Sequence, residues 1–259
     1  MKKNFNINEV KTITQAMTMP VFSLVMSGNF MAVMKHRIME ETGLENFPII
    51  VLTGQPVTGK SAVFKAVVSN QENETDYMII EYVDNTVFYK ETQPVGYIGD
   101  NIVRSAYHNA SSVVGMEIGT NSMKSFSEAA IKRMLIESTD GFWNGENQSF
   151  TMELCQCKET LAEIKVKYQE WFAHQKTSFD KMLKVYEKFF ECDMGFDART
   201  VHKTFFYYAT LVYYFKFLEE EFPEVFTELN VDRVNWVLGL GMDCVKTQES
   251  EEMKCIGTD

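Results

Sequence analysis

Residues 47–61 read Phe47-Pro48-Ile49-Ile50-Val51-Leu52-Thr53-Gly54-Gln55-Pro56-Val57-Thr58-Gly59-Lys60-Ser61. An apolar, β-branched run is followed here by the pattern G-x-x-x-x-G-K-S, the Walker A signature of a phosphate-binding loop between a strand and a helix. Ile49 to Leu52 is too short for a helix and too apolar for an exposed strand. The run therefore predicts a central parallel strand that is buried on both faces.

The loop after this strand has the residue types that a phosphate group needs. Gly54 and Gly59 let the backbone turn tightly, and the amides of the loop, with the first turn of the next helix, point partial positive charge at an anion. Lys60 is expected to reach the β- and γ-phosphates and Ser61 to bind Mg²⁺. The sequence thus predicts a site for ATP and Mg²⁺ formed by Gly54, Gln55, Pro56, Val57, Thr58, Gly59, Lys60 and Ser61.

Composition limits the class of protein. A chain of 259 residues with 45% hydrophobic and 24% charged residues is typical of a globular domain rather than a disordered one. The longest apolar run, 204–215, is too short to cross a bilayer, and no apolar signal core follows Met1, so neither a membrane nor export is expected. Five cysteines without a signal indicate reduced thiols and a cytoplasmic location. Cys155-x-Cys157 has no nearby partners for a zinc set.

Charge argues against a broad nucleic-acid surface. The formal net charge is −11, and contacts to phosphates need clustered Lys and Arg. The dense basic spots are Lys35-His36-Arg37 and Lys132-Arg133, which are interpreted as solvated helix faces. Contact with nucleic acid is therefore expected to be local or made through partners.

The chain divides into three predicted regions: a nucleotide-binding α/β core at 1–157, a helical block at 158–245 packed on that core, and a flexible acidic tail at 246–259. In the core we expect helices at 8–17, from Thr18-Pro20 to Gly43, at 100–109 and at 122–138, and strands at 77–83, 86–90, 111–119 and 149–157. Pro94 and Gly96 are expected to break the chain. The block begins with one or two helices from Lys158, followed by an aromatic helix at 198–221 and a last helix near 231–240.

Hydrolysis of ATP needs an acidic group on a second strand. The best candidate is Glu117, after Val113-Val114-Gly115-Met116, at the carboxyl end of a strand where ligands of open α/β sheets bind. Glu117 could instead cap the next element, and Glu81 and Asp84 are alternatives for the same role.

Residues 20–165 resemble the P-loop module of helicase- and primase-like ATPases from phages, plasmids and integrative mobile elements. The shared features are Ser27-Gly28 on the first helix, the loop 53–61, and 107–110 before the strand 113–119. A strand ending in Asp-Glu-Ile-Gly is typical of that family. The resemblance implies a P-loop NTPase-like parallel sheet flanked by helices and an ATPase that acts on nucleic acid as a homo-oligomer.

This chain departs from the family at one position, where Met116 replaces the Asp that would hold Mg²⁺ through water. The departure leaves binding intact and predicts slow hydrolysis, with Lys60 and Glu117 as catalytic residues. Arg104, Arg133 and Arg199 are equivalent candidates for an arginine finger. Two alternatives stay open: a non-catalytic nucleotide-binding or interaction module, and a small-molecule or nucleotide kinase, against which the scarcity of Arg speaks.

Overall fold

The structure is a computed structural model that describes residues 5–67, 77–83, 86–89, 93–96, 113–119, 123 and 126–256. At 77–117, 119, 255 and 256 this description is limited to the backbone. Asp84, Arg104 and the helix expected at 100–109 lie outside the described residues.

Within the described residues, six strands form one sheet: β1 (Ile49–Gly54), β2 (Tyr77–Val83), β3 (Thr86–Tyr89), β4 (Gln93–Gly96), β5 (Val113–Gly119) and β6 (Met134–Ser138). Their order is β4-β3-β2-β5-β1-β6. β2, β5, β1 and β6 pair in parallel, and β3 and β4 add an antiparallel edge. Every residue of β1 is buried, because the strand lies inside the sheet and both faces are covered. The coarse prediction of helices packed with a sheet of parallel strands agrees with this structure, whereas β3 and β4 make the sheet mixed.

The chain enters the sheet through two helices, α1 (Ile7–Ala16) and α2 (Pro20–Thr42). Asn6 caps α1 by accepting a hydrogen bond from the backbone N–H of Asn8. Pro20 occupies the first turn of α2, where its missing N–H breaks no hydrogen bond. Gly43 ends α2 in the left-handed conformation (φ 72°) and donates its N–H to the Met39 carbonyl. These boundaries agree with the prediction from sequence.

The described part of the chain contains eight further helices: α3 (Lys60–Val67), α4 (Glu128–Ile131), α5 (Gly145–Gln156), α6 (Lys158–Ala173), α7 (Phe179–Glu187), α8 (Ala198–Glu221), α9 (Pro223–Glu228) and α10 (Arg233–Ile256). A π-helical turn, Lys188–Asp193, extends α7. α8 starts where predicted because the carboxylate of Asp197 accepts hydrogen bonds from the N–H groups of Arg199 and Thr200.

Aromatic side chains of α8 join the helices to the sheet. The ring of Phe206 packs edge-on against Phe47, just before β1, with the centroids 5.0 Å apart. On another side of α8, Tyr214 lies 4.7 Å from Phe30 of α2. A single hydrophobic core therefore contains residues of α2, β1 and the helices from α6 to α10. This packing agrees with a helical block that rests on the sheet, although the division at residue 158 stays a prediction.

α10 covers the edge of the sheet that β6 forms. The side-chain amide of Gln248 accepts a hydrogen bond from the N–H of Ile136 (2.6 Å) and donates one to its carbonyl (2.8 Å). Lys203 of α8 donates to the Met134 carbonyl and pairs with Glu252. These contacts pair the outer backbone of β6, which would otherwise be open to other strands. The expectation of a frayed tail from 246 is therefore wrong up to Ile256, where α10 ends.

Three other expectations about local structure are wrong. Within the helix predicted at 122–138, Glu128–Ile131 is helical, but Met134–Ser138 forms β6. A short apolar run fits either a buried strand or a helix, and here the pairing with β1 decides. The strand predicted at 149–157 is helix α5, which Asn144 caps. Finally, 93–96 is an edge strand rather than a break, and Pro94 is tolerated at such an edge.

None of the described helices is by itself long and apolar enough to span a membrane. α1 and α2 reach that length and apolarity only when counted together, across a bend of 112°.

Candidate phosphate-binding site

The loop between β1 and α3 has an unusual backbone. Gly54 (φ 149°), Val57 (φ 65°) and Gly59 (φ 87°) all have positive φ, and for a β-branched residue such as Val57 this conformation is strained. Val57 is also 89% exposed at the tip of the loop. Alternation of left- and right-handed residues turns successive N–H groups toward one side and forms a concave anion site. Within the described residues, no acceptor is found for the amides of Val57, Thr58 and Gly59.

Lys60 lies over this concave loop. Its ammonium group donates to the carbonyl oxygens of Gly54 (3.0 Å) and Gln55 (2.9 Å), and lies 3.4 Å from the hydroxyl of Thr58. Ser61 follows in the first turn of α3, and Pro56 is exposed. The structure thus brings the eight predicted residues 54–61 together at the carboxyl end of β1.

A second loop, which follows β6, holds residues 54–61, the predicted phosphate loop, in place. The N–H and the hydroxyl of Thr139 both donate to the Thr53 carbonyl, at 2.8 Å and 3.0 Å. The Thr139 hydroxyl also lies 2.6 Å from that of Thr58. Asp140 accepts a hydrogen bond from the N–H of Gln55 at 2.8 Å. The loop after β6 therefore holds the phosphate loop at its start and at its middle.

Trp143, in the same second loop, packs directly on Gly59. A Cβ built on Gly59 would lie 2.0 Å from Cε3 of Trp143 and 2.6 Å from each of its two ring neighbours, Cδ2 and Cζ3. These distances place the Cβ nearly above Cε3, so a face of the indole covers Gly59. Gly54 is enclosed in the same way, since its Cβ would lie 2.5 Å from the Thr139 hydroxyl and 3.1 Å from Asp140.

The strand predicted at 111–119, which contains Glu117, is β5 (Val113–Gly119). β5 pairs with β1, and the Cα of Glu117 is in register with Leu52, whereas Gly119 is in register with Gly54. Glu117 thus stands two residues before the end of β5, rather than at the end. Glu81 is in register with Glu117, one strand further from β1. The side chains of Glu117, Met116 and Glu81 lie outside the described part.

On the other side of β1, Glu137 of β6 is also in register with Leu52. Burial, and then the negative charge of Glu251, raise the pKa of the Glu137 carboxyl from 4.5 to about 7. Its side chain lines a cavity of about 280 Å³ between the start of α2, β6, α8 and α10, together with Pro20, Leu24, Tyr207, Leu240, Asp243, Cys244, Lys246 and Thr247.

Two of the three candidate arginines lie at the wrong end of the sheet. The carbonyl of Arg133 accepts a hydrogen bond from the N–H of Ile49 at the start of β1, and β1 carries the phosphate loop at its other end. Arg199 lies beside Glu128, whose pKa is lowered mainly by Lys132 and also by Arg199. Neither arginine can reach the phosphate loop of its own chain.

Sequence reasoning missed Thr139, Asp140 and Trp143. With a helix predicted at 122–138, no strand end places these residues beside the loop 54–61. The available signal was the short apolar run 134–136 followed by the polar residues 137–140, which is how the polar residues of an α/β site follow a strand.

Comparison with known proteins gives no relative. No family model, curated protein or solved structure matches this chain. The described residues contain no group of three or more His, Cys, Asp or Glu side chains that could hold a metal ion.

Proposed function

We propose that this chain is a P-loop NTPase that binds ATP with Mg²⁺ at 54–61 and hydrolyses it slowly. The observation that supports the proposal is the loop after β1, where Val57 and Gly59 are left-handed and Lys60 lies within 3.0 Å of two loop carbonyls. Strained φ values in a non-glycine residue persist where the surrounding structure enforces them, and such residues cluster at ligand sites.

The residues of the loop 54–61 suit a nucleoside triphosphate. The amides of Val57, Thr58 and Gly59 are available to phosphate oxygens, and Lys60 adds a positive charge at the same place. The buried hydroxyl of Thr53, directly before the loop, has no hydrogen-bond partner among the described residues, and such an orphaned group is often explained by a bound water or ion. Ser61 would hold Mg²⁺, which neutralises phosphate charge when bound.

Slow turnover follows from the residues on the strand beside β1. Glu117 is one strand away from the phosphate loop, a position suited to a group that orients water. Met116 cannot assist Mg²⁺, so one acidic group would serve where two are usual. Since charge stabilisation and positioning supply most of the catalysis of phosphoryl transfer, a slow enzyme is expected.

The helicase-like class and a role in mobile-element DNA metabolism rest on the sequence resemblance. A homo-oligomer is consistent with Arg133 and Arg199 at the end of the sheet opposite the loop. In such an assembly, either arginine could reach only the phosphate loop of another copy.

A non-catalytic nucleotide-binding module is the second candidate. Met116, in register with Val51 of β1, is the observation that favours it. This candidate shares the nucleotide site with the first and differs only in turnover.

Nucleotide binding and turnover by the purified protein test the proposal. Calorimetry with Mg-ATP should give binding by the parent and by Lys65→Ala, an exposed lysine of the same helix, and a loss of at least about tenfold in Lys60→Ala. Phosphate release should be slow, with or without single-stranded DNA. Equal affinity in Lys60→Ala would reject the site, and zero turnover would select the non-catalytic module.

A further inference from the structure

Trp143 is placed at the phosphate loop but has no role in holding phosphate. One face of its indole covers the backbone of Gly59. The side chain is partly exposed, and within the described residues neither a ring contact nor a hydrogen bond occupies the rest of the indole. Part of the indole therefore remains accessible beside the site.

The position of Trp143 relative to the two neighbouring strands indicates which part of a nucleotide it would meet. β5, with Glu117, lies on one side of β1, and β6, with the loop that holds Trp143, lies on the other. If Glu117 orients water toward the γ-phosphate, that end of the triphosphate lies toward β5. The nucleoside is attached at the opposite end of the extended triphosphate, so it then lies toward β6.

We propose that the indole of Trp143 forms the stacking surface for the nucleobase of the bound nucleotide. This inference rests on the proposed function, because it concerns the same site, and it adds the source of preference for a nucleotide over a bare polyphosphate. Every base has a π-face, and a base that stacks on an aromatic side chain gains affinity. A purine offers more stacking area than a pyrimidine, so ATP and GTP should bind more tightly than CTP and UTP.

The test compares ATP with inorganic tripolyphosphate, which has the phosphates without a base. Affinities of both, with Mg²⁺, are measured by calorimetry for the parent, Trp143→Leu and Trp143→Phe. The parent should bind ATP about 5- to 150-fold more tightly than tripolyphosphate. Trp143→Leu should lose most of this ratio and keep its affinity for tripolyphosphate, and Trp143→Phe should keep most of the ratio.

Tripolyphosphate also controls for damage to the loop, because Trp143 supports Gly59. If Trp143→Leu weakened both ligands equally, or neither, Trp143 would be only a support and the stacking proposal would be overturned. A parent that binds tripolyphosphate and ATP equally would overturn stacking alone. A parent that binds neither would overturn the proposed function as well.

Fluorescence supplies a second measurement on the same protein. ATP, but not tripolyphosphate, should change the tryptophan emission of the parent. The change should persist in Trp236→Phe, because the indole of Trp236 packs on Phe215 in the helical region. It should vanish in Trp143→Phe. A change that persists in Trp143→Phe would contradict stacking at this residue.

Discussion

Asp140 accepts a hydrogen bond from the backbone N–H of Gln55, although the two residues are 85 positions apart in the chain. The contact forms because β6 pairs with β1 in parallel, so that both strands end at the same edge of the sheet. A carboxylate that accepts from a backbone N–H makes a stronger bond than a neutral acceptor. Asp140 thus fixes the start of the phosphate loop and leaves the amides after Pro56 facing the site.

Removing this carboxylate should loosen the loop. In Asp140→Ala the N–H of Gln55 loses its acceptor, and we expect the affinity for Mg-ATP to fall by about three- to tenfold. Asp140→Asn keeps an oxygen acceptor and should lose less. Calorimetry measures both, with Asp193→Asn, an exposed residue at the end of the π-helical turn, as control. Equal losses in the Ala and Asn variants would mean that the charge of Asp140, rather than this hydrogen bond, matters.

Gly59 should not tolerate a side chain. Its φ of 87° is unfavourable for an alanine by about 1–2 kcal/mol, and the new Cβ would lie 2.0 Å from Trp143. Gly59→Ala is therefore expected to lower the melting temperature and to abolish nucleotide binding. The control is Gly145→Ala at the start of α5, where a Cβ meets nothing within 4 Å.

The double variant Gly59→Ala/Trp143→Ala separates the two causes of this loss. It removes the clash but leaves the backbone strain, so the melting temperature should recover only in part. Full recovery would show that φ at residue 59 carries no cost, and no recovery would show that the contact with Trp143 is irrelevant.

Glu137 should make the stability of the fold depend on pH. Its pKa is raised from 4.5 to about 7 in the folded state, so the folded chain holds a proton that the unfolded chain releases. The contribution of this group is fully present below about pH 4.5 and is lost as pH rises through 7. Each pKa unit corresponds to about 1.4 kcal/mol, which gives a loss of about 3 kcal/mol.

Glu137→Gln removes this titration. Above pH 7.5, Glu137 of the parent is ionised in its buried site and destabilises the fold. The variant should therefore be more stable than the parent there, and the difference in stability should shrink toward pH 5. The titratable groups beside Glu137 are Glu251, Asp243, Cys244 and Lys246 of α10 and Tyr207 of α8, and they stay unchanged. Urea unfolding at pH 5 and pH 8 measures the difference, with the exposed Glu249→Gln as control. A difference that is independent of pH would contradict the shift.

Much of the helical part could be predicted from the sequence. Local signals set its boundaries: Pro20 and Gly43 bound α2, and Asp197 starts α8. The strand before Gly54 and the loop 54–61 could also be predicted, because one short motif specifies both.

The other side of the site could not be predicted, because it depends on pairing between distant strands. Met134–Ser138 is apolar and short, and only its position beside β1 makes it a strand. Without that assignment, neither Asp140 nor Trp143 could be placed at the loop. The same applies to Gln248, whose burial depends on a strand edge 112 residues earlier in the chain.

Gln248 should contribute strongly to stability through that edge. Gln248→Leu leaves the N–H and the carbonyl of Ile136 buried without partners, and each unsatisfied group costs about 1–3 kcal/mol. Thermal or urea unfolding should show the loss, whereas Glu249→Leu, one residue further and exposed, should change stability little. If both variants were equally stable, the amide of Gln248 would not hold the edge of β6.

The last prediction concerns turnover. Glu117 lies on the strand next to β1 and in register with Leu52, and Met116 offers no oxygen to Mg²⁺. Glu117→Gln keeps the size of the side chain and removes its charge, so we expect nucleotide affinity within about twofold of the parent and no phosphate release. Met116→Asp restores a second acidic group and should raise the rate.

Single-turnover hydrolysis measures both, with Glu81→Gln, one strand further from the loop, as the matched control. If Glu117→Gln hydrolysed ATP as fast as the parent and Glu81→Gln did not, the acidic group would belong to β2. If both variants matched the parent, neither strand would supply it.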